Sequence, residues 1–147
     1  MAQLEWSLIV GNLIHLGIAY VLALPVGFDR SQASRSAGLR TFPLVAVAAC
    51  GYTLVGIAVL DSTDAEARVL QGIITGIGFI GGGAILKTKN MVRGTATAAS
   101  LWNTGLIGMA VAFERYEIAV LMSVINFLTL RYIKNFTETD GDREASS

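Results

Sequence analysis

Long apolar stretches alternate along the chain with short charged ones. A hydrocarbon core about 30 Å thick is crossed by roughly 20 apolar residues in helical form. Five stretches approach that length: Trp6 to Val26, Phe42 to Leu60, Val69 to Leu86, Thr97 to Phe113, and Ile118 to Ile133. The pattern predicts an all-α, polytopic membrane helix bundle with about five transmembrane helices. The last stretch is the weakest, because its uncharged part ends at Leu130 and spanning requires Arg131 to snorkel toward the headgroups. From Lys134 onward there is almost no apolar material to bury, which predicts a disordered polar tail over 134–147 behind a transmembrane domain over 1–133. The first stretch follows Met1-Ala2-Gln3-Leu4-Glu5, without the basic start of a secretory signal, and reads as a retained helix.

Charge adds an orientation. The formal net charge is zero, from 11 Lys+Arg against 11 Asp+Glu, so charge gives no reason to expect nucleic acid as a partner. Its distribution is uneven. Arg30, Arg35 and Arg40 lie in the first connector, Lys87, Lys89 and Arg93 in the third, and Arg131 with Lys134 at the start of the tail, whereas the other side holds only Arg68 and Arg115. Basic connectors stay in the cytoplasm, which places the N-terminus outside and the C-terminus in the cytoplasm. An odd number of spans agrees with that assignment.

Candidate chemistry concentrates in the third stretch. From Gly72 to Gly83 it holds six of the chain's 16 glycines: Gly72, Gly76, Gly78, Gly81, Gly82 and Gly83. Gly72 and Gly76 are four apart, as are Gly78 and Gly82, and such pairs let a neighbouring helix approach closely. Helix packing is the favoured reading. The alternative is a helix broken at Gly81-Gly82-Gly83, whose freed backbone groups line an ion or substrate site. Gly76 to Gly81 also satisfies the dinucleotide pattern G-x-G-x-x-G, but no strand precedes it and a nucleotide would have to enter hydrocarbon.

The polar inventory within the spans is Asn12, His15, Gln71, Thr75, Asn103, Thr104 and Asn126, with no carboxylate at depth. Hard cations prefer oxygen ligands, usually carboxylates. Magnesium therefore stays possible without a ligand cluster to support it, and no cofactor is expected. His15 is read first as an interhelical hydrogen-bonding group. Cys50 is the single cysteine, which excludes an intrachain disulfide, and no Ser/His/Asp or Cys/His constellation is available for catalysis. The chain is not expected to be an enzyme. Asp29 with Arg30, Arg35 and Arg40 forms a cytoplasmic loop group that serves topology or binds phosphate headgroups.

Three segments together resemble the membrane domain of the MgtC/SapB family. They are Arg35-Ser36-Ala37-Gly38-Leu39-Arg40-Thr41 followed by Leu44-Val45, then Gln71 through Ile85, then Gly94-Thr95-Ala96-Thr97-Ala98-Ala99-Ser100-Leu101-Trp102. The likeness covers roughly Pro25 to Gly108. Gly27-Phe28-Asp29-Arg30 stands where the family usually has Gly-x-Glu-Arg, so the acid is one methylene shorter. The resemblance implies a multi-pass protein of the bacterial inner membrane, without the soluble C-terminal domain of the family's namesake. It also implies an association with growth at low magnesium and survival inside host cells; inhibition of the membrane ATP synthase has been proposed for the namesake. The leading expectation is a non-enzymatic modulator that packs its glycine faces in the lipid bilayer against a second copy or another membrane protein. Gly76, Gly78, Gly82 and Gly83 then make close helix contacts, Arg40 and Asp29 lock the cytoplasmic loop, and Trp102 with Asn103 supplies contacts on the fourth span. The alternative is a small magnesium or cation channel, with Asn103, Gln71 and Thr75 lining a hydrated path.

Overall fold

The computed structural model describes residues 5–33, 37–88 and 91–133. Five α-helices follow one another: α1 Trp6–Ala33, α2 Thr41–Val59, α3 Thr63–Gly83, α4 Thr95–Ala112 and α5 Tyr116–Leu128, the last continued by a π-helical turn over Thr129–Ile133. Between α3 and α4 a short antiparallel hairpin pairs β1 Leu86–Thr88 with β2 Met91–Arg93, Lys87 lying opposite Val92. Two of the helices, at Trp6–Gln32 and Thr41–Val59, are long and apolar enough to cross a membrane.

The boundaries depart from the hydropathy reading where local chemistry extends a helix. The first helix does not stop at Val26 but runs 28 residues to Ala33 through Pro25, a length of about 42 Å at 1.5 Å per residue. The third begins at Thr63, not Val69. Ser62 caps it, its hydroxyl accepting from the Ala65 amide at 3.3 Å, and Asp64 and Glu66 lie in the first turn, where acids favour the positive end of the helix dipole. The hairpin was not foreseen, and the tail over 134–147 lies outside the described residues.

Helix α4 is the centre of the bundle and packs against each of the other four helices. Its second half is buried almost without interruption, from Leu101 to Ala112, leaving Trp102 exposed and Asn103 and Leu106 half-buried. Close approach comes from small residues. An atom placed at a Gly108 Cβ would run into the Ala46 carbonyl oxygen of α2, and one at Gly105 would run into the end of the Ile77 side chain of α3. Around these seams the core is built of Ala19, Ala23, Ala46, Cys50, Ala110 and Ala119, with Phe42, Leu101 and Ile107 as its large members. The exterior is the inverse: Leu13 is 67% exposed, Val59 69% and Phe79 86%. Small residues inside and large apolar ones outside is the arrangement of helices that associate in lipid, where burying apolar surface gives no gain and backbone proximity does.

Antiparallel packing of successive helices sorts the charges by end. Arg30, Arg40, Lys87, Arg93 and Arg131 fall at the end where α2 and α4 begin, with Asp29 as the one described acid there. Glu5, Asp61, Asp64, Glu66, Glu114 and Glu117 fall at the other end.

Candidate functional site

The glycines of α3 divide into two faces. At 3.6 residues per turn, each residue advances the helix by about 100°. Gln71, Thr75, Gly78 and Gly82 therefore share one narrow arc, while Gly72, Gly76 and Gly83 share another roughly 100° away. The contact edge of the helix is a third, carrying Ile77 against Gly105 and Gly81 against Ala98, whose carbonyl oxygen is 3.1 Å from a Cβ built on Gly81. Of the six glycines only Gly81 meets a neighbour. Nothing lies within 4 Å of the Cβ position at Gly72, Gly76, Gly78, Gly82 or Gly83, so among the described residues they make no close helix contact.

The glycine triplet does not break the helix at depth. It forms the last turn of α3, and two of its three carbonyls are occupied: Ala84 N–H donates to Gly81 O at 3.0 Å and Ile85 N–H to Gly82 O at 3.1 Å. The hydrated path fares no better. Gln71 and Thr75 are exposed on the outer arc, where the Thr75 hydroxyl donates to the Gln71 carbonyl at 2.8 Å. Asn103 sits two residues before Gly105, about 200° of rotation away from the edge that faces α3. The three polar residues are not brought together. Among the described residues no group of three or more His, Cys, Asp or Glu side chains converges.

Other polar side chains are bonded within the bundle. Thr104 donates to the Ser100 carbonyl at 2.7 Å, Asn126 on α5 donates to that same oxygen at 3.2 Å, and Ser123 donates to Leu22 O at 2.6 Å. These bonds join α5 to α4 and α1. His15 makes the interhelical contact expected of it: its Nδ1 lies 2.8 Å from Gly11 O and its Nε2 lies 3.2 Å from the Tyr116 hydroxyl. A carbonyl only accepts, so Nδ1 is the donor toward Gly11 O, and the Glu114 carboxylate lies 3.8 Å from Nε2.

Near the end of α1, Asp29 pairs with its neighbour Arg30 at 2.8 Å, both side chains being largely buried. The lock between Asp29 and Arg40 is not formed; Arg40 is exposed, and among the described residues it has no ion pair. Arg35 lies outside the described residues. Gly38 holds the connector down: a Cβ there would lie 2.8 Å from Ser31 Cβ. Gly38, Gly105 and Gly108 were not singled out from the sequence. The one signal for the last two was their spacing of three on a helix apolar all round.

A bundle joined through small residues, with bonded polar groups inside and an apolar exterior, is the architecture of a helical membrane domain. The chain belongs to the MgtC family, whose model matches residues 16–139. It is 36% identical over 137 residues to the uncharacterized protein slr0014 of Synechocystis, covering 90% of this chain and 56% of that protein. It is 32% identical over 132 residues to the putative magnesium transporter YhiD of Escherichia coli K12, covering 85% and 61%. It is 34% identical over 121 residues to protein MgtC of Salmonella typhimurium, covering 82% and 52%. The chain thus spans little more than half the length of these relatives. No solved structure matches it.

Proposed function

We propose that this chain is a five-span inner-membrane domain, N-terminus outside and C-terminus in the cytoplasm, that acts without catalysis in a magnesium-related role by docking against a second copy or another membrane protein. The observation that carries the docking is the open arc of Gln71, Thr75, Gly78 and Gly82. Two glycines one turn apart have nothing within 4 Å of their Cβ positions, beside two polar side chains on the same line. A partner helix can approach such an arc closely, and Gln71 can hydrogen-bond across it. The apolar exterior and the gathering of basic residues at one end support the membrane placement and its orientation. The name of the YhiD relative, a putative magnesium transporter, supports the magnesium connection.

The test is proximity in intact membranes. With Cys50 replaced by Ser, a Gln71→Cys variant should crosslink to its copy or to a partner, and adding Gly78→Leu should abolish the crosslink while leaving the protein in the membrane fraction. Crosslinking unaffected by Gly78→Leu refutes the docking arc. Transport is the second reading, favoured by the name of the YhiD relative. Magnesium flux into sealed proteoliposomes that saturates and falls in Asn103→Ala would establish it and displace docking as the primary activity.

A further inference from the structure

The second glycine arc of α3 faces a different feature, a groove of about 680 Å³ between α2 and α3. It exists because α4 holds the two helices separately, α2 through Gly108 and α3 through Gly105 and Gly81, so that they touch each other only sparsely. Gly72 and Gly76 supply no side chains to fill the space. Leu44, Ala48 and Tyr52 wall it on the α2 side, and Arg40 stands at one end.

Three properties identify an occupant. The first is length: Arg40 to Tyr52 covers twelve residues of α2, about 18 Å at 1.5 Å each, close to the roughly 15 Å depth of one leaflet of a 30 Å core. The second is lining, which is apolar along the walls and cationic at the mouth. The third is charge. Arg40 is exposed at the end that gathers the basic residues, and Asp29, the one described acid there, is engaged by Arg30 at 2.8 Å. A single hydrocarbon chain under an anionic head matches all three properties.

We propose that the α2–α3 groove is a specific site for an anionic phospholipid, with one acyl chain laid along Gly72 and Gly76 and the phosphate on the Arg40 guanidinium. The inference rests on the membrane placement proposed above but not on the docking arc, which lies on another side of α3.

The experiment is native mass spectrometry of the full chain extracted from membranes and exchanged into mixed phosphatidylglycerol and phosphatidylcholine. The wild type should retain one phosphatidylglycerol in preference to phosphatidylcholine. A guanidinium contact near the surface favours an anionic lipid by about fivefold, so Arg40→Gln should erase that preference while a lipid of either kind remains. Gly76→Leu should empty the groove of both lipids. Arg131→Gln, a cation at the same end but outside the groove, should change nothing, and millimolar inorganic phosphate should not displace the lipid. Equal retention of the two lipids by the wild type overturns the proposal. So does an equal loss of preference in Arg40→Gln and Arg131→Gln, or displacement by free phosphate. Gly78→Leu should keep the lipid, which separates failure of the docking arc from failure of this site. Recovery of the protein in the soluble fraction after a carbonate wash would refute the membrane placement itself.

Discussion

The seams of α4 with α2 and with α3 make a quantitative prediction through two glycines three residues apart. At Gly108 a methyl group meets the Ala46 carbonyl oxygen, with the Ala46 carbonyl carbon and the Cys50 amide nitrogen each 3.0 Å away, so every obstacle is backbone. At Gly105 it meets the Ile77 side chain, which can rotate. Alanine improves helix propensity by about 1 kcal/mol at either position. Against this, Gly108→Ala forces the two helices apart by on the order of 1 Å, and a gap of that size forfeits a quarter to a half of each dispersion contact along the seam. Overpacking of a close-packed core costs about 1–3 kcal/mol, and an immovable obstacle belongs at the upper end, leaving a net loss of about 2 kcal/mol. At Gly105 the cost is one off-rotamer isoleucine, about 0.5–1.5 kcal/mol, which the propensity gain nearly cancels. Unfolding in mixed micelles by SDS titration, followed by circular dichroism, measures both. Gly108→Ala should lower stability by about 2 kcal/mol and Gly105→Ala should stay within about 0.5 kcal/mol of the wild type. Equal losses, or the reverse order, would refute the backbone seam as what holds these helices together.

Three more expectations follow from named contacts. Asp29→Asn leaves Arg30, 8% exposed, without its counter-charge and should cost on the order of 3 kcal/mol in the same titration, whereas Asp29→Leu with Arg30→Met should recover most of the loss. Asn126→Leu removes the α5 bond to Ser100 O, which keeps its Thr104 donor; a loss of about 0.6 kcal/mol is expected, and one above about 2 kcal/mol would mean that Asn126 does more than the contact accounts for. Gly94 has φ +89°, and a methyl there also meets the Ala84 carbonyl oxygen, so Gly94→Ala should loosen the junction of hairpin and α4 and speed trypsin cleavage at Lys87 or Arg93 severalfold. Unchanged cleavage would show that the junction absorbs the residue.

Hydropathy located the five helices because apolar length is recorded residue by residue along the chain. It misplaced the start of α3, because a Ser62 cap and two first-turn acids extend a helix through residues that no apolar window includes. Glycine density is highest in α3, yet at five of its six glycines a Cβ would meet no neighbour among the described residues, while Gly105 and Gly108 make the tight seams. Density counts residues, whereas a seam depends on which two faces meet, and that is decided by the tertiary arrangement. The pairing of Gly72 with Gly76 and of Gly78 with Gly82 was visible at spacing four. That the two pairs look in different directions follows from helix rotation, but only the packing of Ile77 and Gly81 shows which directions stay open. Asp29 and Arg40 carry complementary charges in one connector, and adjacency on α1 gave the acid to Arg30 instead.

The central place of α4 also bears on how the fold is assembled. When the first three helices have been synthesised, the Ala46 carbonyl face of α2 and the Ile77 edge of α3 have no neighbour, because both are completed by residues 105 and 108. The seams at Gly105 and Gly108 therefore close only after the fourth helix has been made, and the His15–Tyr116 and Ser123–Leu22 bonds only after the fifth. A nascent chain stalled ahead of Thr95 can pack α1 on α2 but leaves these faces open, so quality-control proteases should meet the open form during translation and lose access to it once α4 arrives.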